Sequence, residues 1–271
     1  MDWSRHGGGG PSAYQAFLVP AIFEPFAASL VVRAGIAPGS RVLDVACGTG
    51  ALTRAAARAA GPDGAVLGTD LGEPTLELAR TLDPGERAAP IRYVQSDASE
   101  LPVASEDFDV ALCQQGLQFF GDRAAALREM HRALRPGGTV AIAAWTGVED
   151  QHSFAVLVDA LERHIGSGPA DGIRAPYVLH DQVELAGLLD AAGFEDVGVE
   201  AETLDCTWAS HAEWAPMVLA AGPVSTAYAA APLDARRAVA LEVAEALAPH
   251  ALPDGRLRAS MTTNVATGRR G

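Results

Sequence analysis

The carboxylates and glycines near the middle of the first half of this 271-residue chain are the residues with chemistry to offer. Asp44 sits inside an apolar run, Val42-Leu43-Asp44-Val45, which then breaks at Gly48 and Gly50 and enters an Ala/Leu-rich helix near Ala51. A second acid, Asp70, ends the run Val66-Leu67-Gly68-Thr69-Asp70. A third, Asp97, follows Tyr93-Val94-Gln95-Ser96. A strand, a tight glycine turn and a helix N-terminus make a nucleotide-type site in an open parallel sheet. An acid at the end of the next strand can accept both hydroxyls of a ribose.

The charge of the site narrows the nucleotide. The dinucleotide fingerprint asks for a third glycine where this chain has Thr53. A pyrophosphate beside this turn would face Asp44 with no basic residue in the turn to offset it. Two unit charges about 4 Å apart interact by ~1 kcal/mol in water and ~4 kcal/mol near a protein surface. A ligand carrying an ammonium and a sulfonium suits the carboxylate, and S-adenosyl-L-methionine (SAM) is such a ligand. A nicotinamide oxidoreductase is correspondingly a remote alternative.

The elements that must position these residues alternate. Short apolar runs at 42–45, 66–70, 93–97, 108–113 and 139–145 are separated by helical patterns at 51–60, 74–82 and 122–134. In the last of these, Asp122 is the cap and Leu127, Met130 and Leu134 form the apolar face. Pro136-Gly137-Gly138 stops that helix. Such alternation indicates an α/β, doubly wound parallel sheet. Before it, Ser12 to Ala34 reads as a helix capped by Ser12, bent by Pro20 and Pro25 and closed by Gly35. After it, helices are expected over 151–165, 183–192 and most of 208–249, the last segment with Asp234 as a cap for a helix running to Leu247. A Gly/Pro-rich loop is expected over 166–176, and strands over 197–203 and 258–269.

At this point the chain resembles the class I SAM-dependent methyltransferases, and within them the ubiquinone/menaquinone-biosynthesis type and its small-molecule relatives. Five pieces carry the resemblance, in order: DVACGTG at 44–50, GTD at 68–70, SDA at 96–98, DFDVALCQQGLQFF at 107–120 and LREMHRALRPGGTVAIAAW at 127–145. They fall within 41–145, just over a third of the chain. Ala46 stands where many relatives have glycine.

The resemblance implies a mostly parallel, seven-stranded Rossmann-like sheet with an N-terminal lid helix and helical cap insertions. It divides the chain into a flexible N-terminus at 1–11, a lid and SAM-binding core at 12–145, and a remainder at 146–271. The substrate cap is placed at about 146–180 and 206–255. It also assigns the cofactor site. Tyr14, on the lid, touches the methionine end. Ala46, Gly48 and Gly50 form the cradle, and Asp44 serves the ammonium directly or through water. Asp70 takes the ribose, with Leu71 packing on adenine or the ribose edge. Asp97 accepts from the adenine amino group beside the Ala98 amide, and Gln114 or Gln115 lines the methionyl portion.

For the acceptor side, Phe119, Phe120, Trp145, Trp208 and Trp214 are candidates to line an apolar pocket. His152 is the candidate base, with His164, His180 and His211 behind it, because an imidazole titrates in the useful range. His131 reads as structural, on the solvent side of its helix. Holding two reactants in line contributes ~7–11 kcal/mol, more than a general base supplies, so methyl transfer does not require one. The Cys-Gln-Gln-Gly sequence after the fourth strand lacks the Asn/Asp-Pro-Pro-aromatic motif of many nucleobase and glutamine methylases. That tilts the acceptor towards oxygen, carbon or aliphatic nitrogen on a hydrophobic small molecule. A SAM-fold protein that does not transfer methyl is the alternative.

Composition sets the outer bounds. Net charge is −14, and all twenty basic residues are arginine. An acidic surface disfavours nucleic acid and anionic membranes. Cys47, Cys113 and Cys206 have no metal-ligand spacing and read as reduced thiols, and no metal is expected. No run reads as long enough to cross a bilayer and no signal peptide opens the chain, so a cytoplasmic protein is expected. A homodimer stays open.

Overall fold

The computed structural model describes residues 10–271. All of the segment expected to be flexible, 1–11, lies outside the described residues except Gly10 and Pro11, which begin the first helix.

Seven strands form one sheet: β1 (Arg41–Val45), β2 (Ala65–Asp70), β3 (Ile91–Gln95), β4 (Phe108–Gln114), β5 (Leu134–Trp145), β6 (Phe194–Trp208) and β7 (Leu257–Arg270). Their spatial order is β3-β2-β1-β4-β5-β7-β6. β1 to β5 pair in parallel, and β7 inserts antiparallel between β5 and β6. The order reverses between β1 and β4, and a crevice opens at the carboxyl ends of strands at such a switch point. Asp44 pairs with Gly68 on one side and Leu112 on the other, so it is held in mid-sheet.

Helices cover both faces. On one, α2 (Glu24–Arg33) and α3 (Ala51–Ala60) bury Ala27, Leu30, Leu52, Ala56 and Ala57 against Val42, Val66 and Leu112. α1 (Gly10–Ala13) leads into this face, and α4 (Glu73–Thr81) flanks β3. On the other, α5 (Arg123–Ala133) and α8 (Gln182–Ala191) bury Leu127, Met130, Leu185 and Leu189. A third core lies past the strand ends. It joins α6 (His152–His164), α7 (Ser167–Arg174), α9 (Trp214–Ala221) and α11 (Leu233–Leu247) to the overhanging ends of β6 and β7, with α10 (Ser225–Ala230) packed on α9. There Leu257, Ala259 and Met261 alternate inward along β7.

Several local expectations are corrected. Gly10 to Arg33 is one continuous helical rod, with a π-helical stretch, Tyr14–Phe23, between α1 and α2. Pro20 lies inside that stretch, and the Glu24 N–H reaches back to the Val19 carbonyl, so the wide turn absorbs the proline without breaking the rod. By length and apolarity this 24-residue rod is enough to cross a bilayer, contrary to the expectation, but Leu18, Val19, Ile22, Phe26 and Leu30 are buried against the sheet and the third core. The segment 166–176 is mainly helical: Pro169 falls in the first turn of α7, where its missing N–H is harmless, and Ala170 and Ile173 are buried. Asp234 lies in the first turn of α11, favourable to the helix dipole, while Pro232 occupies the cap position. β6 runs on to Trp208, which therefore belongs to a strand end. Ser12, for its part, lies within α1 and is no cap.

Candidate functional site

A cavity of about 570 Å³ opens over the carboxyl ends of β1, β2, β4 and β5. A smaller one of about 30 Å³ adjoins it, sharing Tyr14, Phe23, Ala46, Gly48 and Gln114 with the larger.

The floor is built by backbone geometry. Gly48 has φ +56°, and a Cβ there would meet nothing nearer than the Tyr14 hydroxyl at 4.0 Å. Its N–H donates to Asp70 Oδ2 at 2.8 Å, and the Gly72 N–H donates to Asp70 Oδ1 at 2.8 Å. Asp70 is thus aimed by two amides, one from its own loop and one from the glycine turn. Burial raises its carboxyl, while the Gly72 and Gly48 amides oppose the shift. Gly50, φ +80°, lines neither cavity; a Cβ there would lie 2.4 Å from the Tyr93 hydroxyl.

Asp44 is fully buried and faces the smaller cavity. Its Oδ2 accepts from Thr53 Oγ1 at 2.6 Å, while Oδ1 has no partner among the described residues. Burial pushes this carboxyl up to about 7; the Thr53 hydroxyl pulls the other way and the charge of Asp70 adds to the rise. Thr53, the residue that spoils the dinucleotide fingerprint, is therefore what holds Asp44. Asp97 is exposed and stays ionised, its carboxyl lowered by the Ser99 amide and hydroxyl.

Two non-glycine residues at the rim adopt left-handed backbone, Ala46 at φ +59° and Gln115 at φ +55°. Each conformation costs ~1 kcal/mol or more and is kept where surrounding structure enforces it. Gly116 permits the close approach here, since a Cβ on it would stand 2.7 Å from the Ala46 Cβ. Gln114 Nε2 donates to the Phe23 carbonyl at 2.9 Å and so ties the helical rod to β4. Tyr14 hangs from the rod over the glycine turn, its phenol pushed up by burial, then by Asp70 and Cys47.

The structure brings together around the main cavity Tyr14, Ala46, Gly48, Asp70, Leu71, Asp97, Ala98, Gln114 and Gln115, and on its other side Phe119, Phe120 and Trp145. Asp44 adjoins it through the smaller cavity. Trp208 and Trp214 do not line it. They stack edge-on at 5.7 Å inside the third core, with Phe154 edge-on to Trp214 at 5.2 Å. His152 does not line it either: it is exposed on α6, its ring 5.1 Å from that of His250. His164 pairs with Glu242 at 2.7 Å, and the Nδ1 atoms of His180 and His211 meet the carbonyls of Tyr177 and Gly255. His131, expected on the solvent side, packs edge-on against Phe194 at 5.0 Å.

Sequence reading missed Leu18, Ile22, Gln118, Phe154, Tyr177 and Met261, all on the cavity wall. The four-residue spacing of Leu18 and Ile22 was available as a signal, as was the spacing of Gln118 from Gln115 along one turn. Nothing local marked Tyr177 or Met261. Among the described residues lining the cavity there is no arginine, histidine or cysteine, and the titratable ones are Asp70, Asp97, Asp122, Tyr14 and Tyr177.

Comparison with known proteins agrees with this geometry. The methyltransferase-domain family matches residues 43–142. The ubiquinone/menaquinone biosynthesis C-methyltransferase UbiE of Cupriavidus taiwanensis is 36% identical over 178 residues, covering 62% of this chain and 72% of its own. Among solved structures, YcgJ of Bacillus subtilis superposes with a TM-score of 0.58 at 17% identity, over 90% of this chain and 98% of its own. Phosphoethanolamine N-methyltransferase 2 of Haemonchus contortus, solved with S-adenosyl-L-methionine, gives 0.54 at 20% identity, over 91% of this chain and 52% of its own. The chain belongs to the class I SAM-dependent methyltransferases of the ubiquinone/menaquinone type. It is a SAM-dependent methyltransferase, and neither the nicotinamide enzyme nor the non-transferring SAM-fold protein is favoured.

Proposed function

We propose that this enzyme methylates a neutral, largely apolar small molecule on oxygen, carbon or aliphatic nitrogen, and that it does so by positioning and without a base of its own. The observation that carries the reading is the make-up of the cavity. Its side away from the glycine turn is lined by Leu18, Ile22, Phe119, Trp145, Phe154, Ile173 and Met261, and no described lining residue is cationic or an imidazole. A phosphate or carboxylate on the acceptor would meet Asp70, Asp97 and Asp122 with nothing to compensate it.

The residues present fit the cofactor. An unpartnered, buried Asp44 Oδ1 and an open Gly48 suit a cationic amino acid end. In this reading Asp44 and Tyr14 hold that end, Asp70 holds the ribose hydroxyls, and Asp97 and Ala98 hold the adenine edge. When bound, SAM supplies a methyl group already activated by its sulfonium. Leu18, Ile22 and Phe23 of the helical rod close over the site and exclude water, and the roof aromatics orient the acceptor. The nucleophile loses its proton to solvent. The rod Gly10–Arg33 packs on sheet and roof, which supports a role as a core helix of a soluble enzyme.

The test is a pH–rate series with acceptors of graded acidity. Without an enzymic base, the rise in kcat should follow the pKa of each acceptor. One invariant inflection across the series would overturn the positioning mechanism. Equal turnover of phosphorylated and neutral forms of an acceptor would overturn the neutral substrate class.

A further inference from the structure

We propose that Arg54, which lines neither cavity, sets cofactor affinity from behind the glycine turn: it takes up the Thr49 carbonyl, so that Thr53 is free to hold Asp44. The proposal rests on reading Asp44 and that turn as the seat of the amino acid end of SAM. The argument follows the hydrogen bonds at the head of α3. The helix starts at Ala51, and its first bond runs from the Arg54 N–H to the Gly50 carbonyl at 2.9 Å. One residue earlier, a regular helix would give the Thr53 N–H to the Thr49 carbonyl. Here Thr53 turns both its hydroxyl, at 2.6 Å, and its N–H towards Asp44. Thr49 is buried between Gly48 and Gly50, so its carbonyl needs another donor. The Arg54 side chain supplies one, Nη1 donating at 2.6 Å. Gly50 leaves the room, since a Cβ there would stand 3.3 Å from that nitrogen.

Stability does not explain this guanidinium. Arg54 is 6% exposed and sits at the N-terminal end of α3, where the helix dipole disfavours a cation. The acid that faces it, Glu24 of the rod, is half-exposed and 4.0 Å away. A buried charge so weakly paired can often be replaced by an apolar side chain with no loss of stability. What replacement removes is the division of labour between the two donors. The Thr49 carbonyl then competes for the Thr53 N–H, Asp44 loses a donor that favours its charged form, and the turn shifts. The other titratable groups around Asp44 are Asp70 on β2, Tyr93 on β3, Cys113 on β4, Cys47 in the turn and Tyr14 on the rod, and they stay in place.

The test is calorimetric titration of the full chain with SAM between about pH 6 and pH 9, in wild type, Arg54→Met, Glu24→Gln and Asp44→Asn, with circular dichroism to check folding. Arg54→Met should bind SAM about ten-fold more weakly at pH 7. The midpoint of its pH dependence should move upward by about half a pH unit or more, because a carboxyl without that donor rises. Glu24→Gln should match wild type within about two-fold. If Arg54→Met does not fold, Arg54→Gln, which stops short of the carbonyl, carries the same expectation. Wild-type affinity in a folded Arg54 variant, weaker binding with an unmoved midpoint, or an equal loss in Glu24→Gln overturns the proposal alone. Asp44→Asn binding as tightly as wild type at pH 8, or a wild-type profile without a midpoint, overturns the reading of the cofactor seat together with it.

Discussion

The two sides of the cavity are made by different means. The glycine-turn side is built by backbone: left-handed Ala46 and Gly48, amides of Gly48 and Gly72 on Asp70, and one threonine on Asp44. Its polar groups come from the ends of adjacent strands. The roof side is built by side chains from the helical rod, α6, α7, α9 and β7, which share only an apolar character. Charge is confined to the first and absent from most of the second. The first side is thus suited to one ligand held by directed hydrogen bonds, and the second to a range of apolar shapes.

Mutations should separate the sides. Asp70→Ala is expected to have the largest effect, since it removes the proposed ribose acceptor and the clamp on two amides. The net loss of one charge-assisted hydrogen bond costs ~1.5–3 kcal/mol, so SAM affinity should fall about ten-fold to a hundred-fold. Acceptor affinity in the presence of excess SAM should hold. Unchanged SAM binding in a calorimeter would place the ribose elsewhere.

Asp44 should make SAM affinity depend on pH. Its carboxyl, raised to about 7, is protonated below that value, and a cationic ligand prefers the carboxylate. Affinity should therefore weaken about ten-fold between pH 8 and pH 6 and be flat in Asp44→Asn. Stability moves the same residue in the opposite sense. A raised acid contributes stability that is complete below its unfolded value and lost as pH climbs through about 7. The melting temperature of Asp44→Asn relative to wild type should thus rise from pH 5 to pH 8. A constant offset across that range would show that Asp44 does not titrate there.

On the roof side, Phe119→Ala should raise the acceptor KM several-fold, in line with ~1–2 kcal/mol of lost apolar contact, and leave the SAM dissociation constant within two-fold. Steady-state kinetics varying each substrate in turn would show it. A loss shared equally by both substrates would mean that the two sides are not independent.

The same division decides how much was legible in the sequence. Asp44, Gly48 and Asp70 could be read because strand ends, glycine turns and acids are local signals, and the alternation of apolar runs gave the sheet. Thr53 was read as a missing glycine, though its hydroxyl is the Asp44 partner. The roof was read poorly. Trp208 and Trp214 have the composition of a pocket but fill the third core, because size and apolarity do not say which way a side chain faces. Ala170 and Ile173 made a helix of an expected loop, by burial that only the tertiary structure supplies. Met261 lines the cavity only because the antiparallel β6–β7 pair overhangs the sheet.

His152→Ala is the smallest expected effect and the sharpest check on the comparison. If the roof were a second directed site, a histidine at the head of α6 would be its natural base. Instead the ring is exposed beside His250, away from the cavity lining, so its removal should leave kcat, both KM values and the pH–rate profile within two-fold of wild type. A base lost from the reaction would lower kcat by roughly two to four powers of ten and remove an inflection from the profile. That outcome would require α6 to turn inward when the acceptor binds. It would also mean that the roof orders itself around chemistry, rather than offering a preformed apolar surface.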